Sequence, residues 1–396
     1  MKRSILFLTN AYPDFDTAYR GIFIKKMVTA LQREGYTLTV VTPKIYRKSR
    51  YVEEREGVRV YRFPFLAGDK LLVEYEKIPY VRMMLYYASG LLFTLYGMLK
   101  KRCDLIHVHW AIPTGLIGVF CGFFLRRPLL VTIHGSDFRL ATARSRLLKT
   151  LFLWVCKKAN HLISVSEVLK KEMVNLGVPE EKISTFPMGV DEKFIEAGRD
   201  RKEIANDRSS TVLSNRNLLP LYNVKLLIQS IPFVLEEEPK TRFIIAGGGK
   251  EKDFLEQMVK DLKIEQAVRF IGRVSHETMP ELLAQSDVYV STSLSDGTSV
   301  SLLEAMAAGS FPIVTDIPSN AEWVRDGENG YLIPVGDGQI LAKKIISAIR
   351  GTALLTRSAG ENSGIIERKA LWSVTIRRTK EIYDGFLMAK TDGTMA

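Results

Sequence analysis

Cysteine is scarce: Cys103, Cys121 and Cys156 are the only three in 396 residues, and their spacing fits neither a disulfide framework nor a metal site. Two of them sit in apolar runs, so buried thiols in a reducing compartment are expected. Histidine is almost as rare, with five in the chain. No secretory leader is expected, because Met1-Lys-Arg-Ser leads directly into Ile5-Leu-Phe-Leu, which is too short for a signal-peptide core. Residence in the cytoplasm is the expectation. The G-x-G-x-x-G dinucleotide fingerprint does not occur, which argues against an oxidoreductase, and nothing marks a lysine bound to pyridoxal phosphate. Met83 to Leu99 runs for 17 residues without a charge, the lower limit for crossing a bilayer. Gly90, Gly97, Ser89, Thr94 and three tyrosines within it argue against spanning. A core helix is expected, with peripheral membrane association at most.

Acidic residues are under-represented in one half only. Residues 1–200 hold 32 Lys and Arg against 19 Asp and Glu, a surplus of 13, whereas the remainder holds 24 against 25. The net charge of +12 thus belongs to the first half. A basic surface confined there suggests an anionic partner, either a membrane leaflet or a phosphate-bearing lipid acceptor. Nucleic acid is not expected, since no helix-turn-helix, zinc or aromatic RNA-binding signature accompanies the charge.

A chain of this length predicts about two domains, and 46% hydrophobic residues suffice for two cores. Strand-like and helix-like patterns alternate in both halves, which predicts an α/β protein with open parallel sheets covered by helices. Strands are expected at 5–9, 38–42, 58–63, 104–109, 129–133 and 161–165, then at 211–214, 242–246, 268–271, 288–291, 311–315 and 330–333. Helices are expected at 23–33, 144–158 and 366–388. The polar stretch after Asp191 predicts a first domain over 1–192, a linker over 193–210, a second domain over 211–365 and a final helix over 366–388. Ligands of such sheets sit beyond the carboxyl ends of strands, so two facing domains would share a cleft.

The most informative segment is Asp296-Gly-Thr-Ser-Val-Ser-Leu-Leu-Glu304, which leads into Ala305-Met-Ala-Ala-Gly309 between two apolar runs. It reads as strand, loop, helix and strand, with the helix starting near Ser299 and stopping at Gly309. Free N–H groups beside Gly297, Thr298 and Ser299 would suit a phosphate. Glu304 lies on an apolar helix and needs hydrogen-bond donors, which two ribose hydroxyls would supply. Asp296 can take the hydroxyls of a second sugar. The blander alternative makes Asp296 a helix cap and gives Glu304 a backbone or arginine partner inside the fold.

This segment resembles the E-x7-E motif of the retaining glycosyltransferases of family 4, with Asp296 in place of the usual first glutamate. The similarity runs along nearly the whole chain, in order: Thr9-Asn-Ala-Tyr-Pro13, Gly21-Ile-Phe-Ile, Asp104-Leu-Ile-His-Val-His109, Val131-Thr-Ile-His134-Gly-Ser-Asp137, Ser164-Val-Ser-Glu, Met188-Gly-Val-Asp191, Ile244-Ile-Ala-Gly-Gly-Gly249 and Phe270-Ile-Gly-Arg273. It implies the two-domain GT-B fold, in which the last helix crosses back onto the first domain. It also implies a nucleotide diphosphate-sugar donor and transfer with retention, needing neither a catalytic metal nor a cofactor.

The resemblance assigns Arg216, Tyr222, Arg273, Gly297, Thr298, Ser299, Glu304 and Gly21 to the donor. Catalysis would fall to His134 near the anomeric centre, to Asp296 on the sugar and to Arg216 on the diphosphate. Arginine suits this last role through its planar set of donors. Tyr222 stands where the family has a lysine, so Tyr222 or Lys225 would take over that contact. Gly21 is expected where a side chain would intrude on the diphosphate. The triple Gly247-Gly-Gly249 is by itself a weak phosphate or turn signal. His107 and His109 alternate on one strand without a third metal ligand and are expected to serve in packing or in a supporting hydrogen bond, whereas His161 and His276 have no informative context. Asp14-Phe-Asp16 is not read as a metal motif but as loop solubility or acceptor contact. A saccharide or lipid-linked saccharide acceptor follows from the family and from the basic first half. Two alternatives are a nucleotide-sugar epimerase of the same fold and a non-catalytic nucleotide-sugar-binding scaffold.

Overall fold

The structure, a computed structural model, describes residues 3–15, 20–69, 79–200 and 209–388. The chain divides into two compact units, one of residues 1–186 with 375–396 and one of residues 187–374.

The first unit carries strands β1 (Ser4–Leu8), β2 (Thr37–Lys44), β3 (Val52–Arg55), β4 (Val58–Pro64), β5 (Leu105–His109), β6 (Leu129–Ile133), β7 (His161–Ser164) and β8 (Ile183–Thr185). They form one sheet in the order β3-β4-β2-β1-β5-β6-β7-β8, parallel except for the β3–β4 pair. Strands such as β1 and β6 are buried throughout, as expected of a parallel sheet covered on both faces. Helices α1 (Ile22–Arg33), α2 (Tyr80–Lys100), α3 (Leu116–Leu125), α4 (Ser136–Arg144), α5 (Arg146–Lys158) and α6 (Glu167–Asn175) connect them. Helix α1 buries Ile24, Met27, Val28 and Leu31, a stripe at helical spacing.

The second unit has six parallel strands, β9 (Thr211–Ser214), β10 (Arg242–Ala246), β11 (Val268–Gly272), β12 (Val288–Ser291), β13 (Phe311–Thr315) and β14 (Tyr331–Ile333), in the order β11-β10-β9-β12-β13-β14. Its helices are α7 (Glu192–Arg199), α8 (Val224–Glu237), α9 (Lys252–Asp261), α10 (Met279–Ala284), α11 (Val300–Ala307), α12 (Pro318–Ala321), α13 (Gly338–Arg350), α14 (Thr352–Lys369) and α15 (Trp372–Met388), the last joining the first unit from Thr375. Apolar cores lie on both faces of this sheet, one against α8 and α13, the other against α7, α11 and α14. Successive strands add to opposite sides of β9 and β12, so a topological switch point falls between them.

Every expected strand is present within a residue or two. Two more were not anticipated. Strand β3 has three charged residues among its four and lacks an apolar run, but Glu56 and Gly57, at φ 52° and 76°, form the tight turn that folds it onto β4. Strand β8 is only three residues long.

Other expectations need correction. The polar linker begins inside a helix: α7 buries Phe194 and Ile195 in the core of the second unit, while residues 201–208 lie outside the described residues. The final helix is two helices, because Leu371 forms a bridge to Val190 and interrupts the α14–α15 run. Helix α2 is no core helix but a surface helix with one side exposed. The three cysteines are free and buried, and burial pushes the Cys103 and Cys121 thiols up to about 12.

Candidate active site

The second unit assembles its site at the switch point, from the loops that follow β9 and β12. Thr292 anchors the β12 loop by donating to the carbonyls of Tyr222 and Asn223 at 3.2 and 2.8 Å. Leu294 N–H adds a bond to Leu221 O at 2.9 Å, so the Asp296 loop and the Tyr222 turn are held together. On the β9 side, glycine allows close backbone contact. A Cβ on Gly247 would stand 2.2 Å from Arg216 O, and one on Gly249 would stand 2.1 Å from Leu218 O. The triple glycine therefore seats the Arg216 loop, a steric task for which its lack of side chains is sufficient reason.

Arg216, which is 7% exposed, donates from Nη2 to Asp296 Oδ2 at 2.5 Å and from Nη1 to Ser299 Oγ at 2.6 Å. Its guanidinium carbon lies 4.3 Å from the centre of the Tyr222 ring, a cation–π contact. Burial works against its charge, yet Asp296, then Tyr289 and Tyr222, hold the Arg216 pKa above its ordinary value. Arg216 Nε is buried and has no hydrogen-bond partner among the described residues. Lys225 points elsewhere, its ammonium 5.9 Å from the Phe254 ring, so Tyr222 is the residue placed against Arg216. Arg273 is exposed and lies along Gly248, where a Cβ would stand 3.1 Å from its Nε.

Helix α11 starts at Val300, with Ser299 as its cap: Ser299 Oγ accepts Leu302 N–H at 3.3 Å. Its other end closes as a Schellman turn, with Gly309 at φ 77° and Ser310 N–H bonded to Ala305 O. The expectation of free amides needs one correction, since Gly297 N–H donates to Asp296 Oδ1 at 2.9 Å. Thr298 is half-buried in the same loop.

Glu304 is buried on α11, as expected, and a histidine stands beside it. His276 Nδ1 lies 3.6 Å from Glu304 Oε1, and His276 Nε2 lies 2.7 Å from Asp191 Oδ2. The histidine ring packs edge-on against Phe194. Gly189 leaves room for Trp372, against which any Cβ would clash at 2.4 Å, and this fixes the backbone leading to Asp191. Sequence reasoning missed His276 because its partners lie 85 and 28 residues away in the chain.

In the first unit, His134 ends β6 and pairs with His109 at the end of β5, with His134 Nε2 and His109 Nδ1 2.9 Å apart. The Trp110 ring lies against His134 at 4.4 Å. Asp137 fixes this corner by accepting the backbone N–H groups of His134 at 3.1 Å and Ala111 at 2.8 Å. Burial lowers the His134 pKa to about 3 and raises that of Asp137 to about 6. His134 is therefore a neutral imidazole at neutral pH. His107 is committed to Tyr383 and Thr132 at 2.6 and 2.8 Å, the internal hydrogen-bonding role expected of it.

Two first-unit readings change. Gly21, at φ 70°, is required by the Ala11 carbonyl, which a Cβ would approach to 2.4 Å, so packing within the unit already explains the glycine. Asp14 is not a solubilising loop residue: it is buried, accepts Ser49 Oγ at 2.7 Å and pairs with Arg20 and the fully buried Arg62 at 3.4 Å. Asp16 lies outside the described residues.

Two family models match, one in each half: Glycosyltransferase Family 4 over residues 21–194 and Glycosyl transferases group 1 over residues 197–363. The chain is 28% identical over 271 residues to the N-acetyl-alpha-D-glucosaminyl L-malate synthase of Bacillus anthracis, covering 67% of this chain and 70% of that one. It is 30% identical over 260 residues to the UDP-Gal:alpha-D-GlcNAc-diphosphoundecaprenol alpha-1,3-galactosyltransferase of Escherichia coli, covering 62% and 66%. Among solved structures, Anabaena HepE in complex with UDP superposes with a TM-score of 0.75 at 18% identity, over 97% of this chain and 100% of that one. With the two parallel-sheet units, this likeness identifies the fold as GT-B. The chain belongs to the family 4, or group 1, glycosyltransferases.

Proposed function

We propose that this glycosyltransferase moves a sugar from a UDP-sugar to a saccharide or lipid-linked saccharide acceptor, in cell-envelope, exported polysaccharide or glycolipid synthesis. The observation that carries the reading is Arg216, a buried guanidinium gripped by Asp296 and Ser299 with one N–H unpaired. A diphosphate oxygen would satisfy that donor. As the bond to the sugar breaks, the leaving diphosphate gains charge, and Arg216 with the N-terminal end of α11 stabilises it where it develops. In this reading neither a catalytic metal nor a cofactor is required. Configuration is retained because the departing phosphate oxygen takes the acceptor proton on the same face. Asp296 orients the sugar, Glu304 holds the ribose hydroxyls, and His134 keeps the contact near the anomeric centre that the family resemblance implies.

The donor class is supported by relatives. The Escherichia coli enzyme is named for UDP-Gal and a diphosphoundecaprenol acceptor, and HepE has been solved with UDP and with UDP-glucose. The test is calorimetric titration of the wild type and Glu304→Ala with UDP, GDP and ADP, then with the matching sugars. UDP should bind, and more weakly to the variant by about 1–3 kcal/mol. Failure of all three nucleotides to bind would sink the reading, and conversion of a UDP-sugar without any acceptor would favour an epimerase.

A further inference from the structure

Helices α2 and α3 leave much of their apolar surface outside. The side of α2 turned into the unit carries Tyr86 and Met98 but otherwise Ser89, Gly90, Thr94 and Gly97, and the Ser89 and Thr94 hydroxyls satisfy themselves on backbone carbonyls. Its outward stripe is Val81, Met84, Leu92 and Leu99, with Val81 81% and Leu99 74% exposed. Helix α3 repeats the pattern. Gly118, Cys121 and Gly122 face inward beside Ile117 and Val119, and a Cβ on Gly118 would meet Val108 at 2.5 Å. Outward stand Phe120, Phe123 and Phe124, with Phe123 79% exposed. Small residues inside draw the helices close, while four apolar residues of α2 and three phenylalanines of α3 remain in water. Folding of this unit alone gives no reason for that arrangement.

Between α2, α3 and α5 runs a groove of about 610 Å³, lined by Tyr87, Leu91, Ile117, Phe120, Leu151 and Trp154 among others. Around it the charge has one sign. Helix α2 with its trailing Lys100-Lys-Arg102, α3 with Arg126 and Arg127, and α5 with Arg146, Lys149, Lys157 and Lys158 contain no aspartate or glutamate. Among the described residues no helix is long and apolar enough to cross a membrane.

We infer that the α2–α3–α5 face is the surface by which this protein docks on an anionic lipid leaflet. Phe123, Phe124 and the outer stripe of α2 enter the acyl boundary, a lipid chain occupies the groove, and the basic helix ends meet the head groups. A two-fold pairing of copies through the same face would set like charges against each other, which favours lipid as the occupant. The inference deepens the proposed function, resting on its lipid-linked acceptor for its purpose. The residues that carry it are separate from the donor site.

The experiment sediments the full chain with vesicles of phosphatidylcholine alone and of phosphatidylcholine with phosphatidylglycerol, and titrates UDP in parallel. Brominated acyl chains report depth through tryptophan quenching, compared between the wild type and Trp154→Phe. We expect binding to the anionic vesicles only and quenching that Trp154→Phe reduces. Phe123→Ser with Phe124→Ser, or Arg126→Glu with Arg127→Glu, should each weaken binding about tenfold or more, with UDP affinity unchanged. Absence of vesicle binding while UDP still binds would overturn the surface and leave the transferase reading standing. Vesicle binding without UDP binding would do the reverse. A dimer that the phenylalanine substitutions dissociate, with no vesicle binding, would assign the face to a second copy instead.

Discussion

His276 stands between two carboxylates, its Nδ1 3.6 Å from Glu304 Oε1 and its Nε2 2.7 Å from Asp191 Oδ2. It ties the buried end of α11 to the start of α7, two elements of the same unit. If Glu304 holds the ribose, His276 positions it. His276→Ala should weaken UDP binding by about 1–2 kcal/mol, since the buried carboxylate loses the imidazole packed beside it. His276→Gln should recover part of that loss. Calorimetry with UDP decides it: an unchanged affinity in the alanine variant would mean that α11 alone places Glu304.

Asp296 and Arg216 are already bonded to each other, so under the proposed function a diphosphate would share the guanidinium with a carboxylate. Asp296→Asn removes the competing charge but keeps a side chain of nearly the same shape. Bare UDP should bind at least as tightly as to the wild type, while turnover of the UDP-sugar should drop about 100-fold through loss of sugar orientation. A large fall in UDP affinity would show instead that Asp296 serves mainly to hold Arg216 in place.

Tyr222 occupies the place of the family lysine, and its ring, 4.3 Å from the guanidinium carbon, is what meets Arg216. Tyr222→Phe keeps the ring and should leave UDP affinity unchanged. Tyr222→Ala should cost about 0.5–2 kcal/mol of UDP binding, the range of a cation–π contact from exposed to desolvated. Loss of affinity in the phenylalanine variant would assign the contact to the phenol hydroxyl.

Acid should destabilise the first unit. Burial lowers His107 and His134 to about 3 from an ordinary 6.5, so between those pH values the unfolded chain holds protons that the native state refuses. Stability from these groups rises with pH across that window and is lost as pH falls. Asp137 acts in the opposite sense between 3.8 and about 6, where the native state holds the extra proton. Burial lowers His109 and His161 as well, so with four histidines against one aspartate the urea midpoint should fall from pH 7 to pH 5. His107→Gln, though less stable at pH 7, should show a smaller fall. An equal pH dependence in the variant would remove His107 from this account.

Much of the protein was legible from one sequence. The strands of both sheets announce themselves because buried parallel strands need unbroken apolar runs, and Gly309 marks a helix end because glycine readily adopts a positive φ. The Asp296–Glu304 segment and Arg216 were readable as candidates because a family motif sets particular groups at short, ordered spacings. By itself the sequence thus determined the α/β class, the family and most donor-site candidates.

Tertiary structure decided what depends on residues far apart in the chain. The Asp191–His276–Glu304 contact and the pairing of Arg216 with Asp296 are relations across 28 to 85 residues, with no local pattern to betray them, and the Tyr222 ring meets Arg216 only through the way the loop between them folds. Gly21 and Gly247 were visible as glycines, but only the carbonyls of Ala11 and Arg216 explain them. The apolar run of α2 could be read along the chain, whereas its outward direction followed from the small residues that its neighbours required on the inner side. Composition sets which residues are apolar, and packing alone sets which of them are left facing solvent.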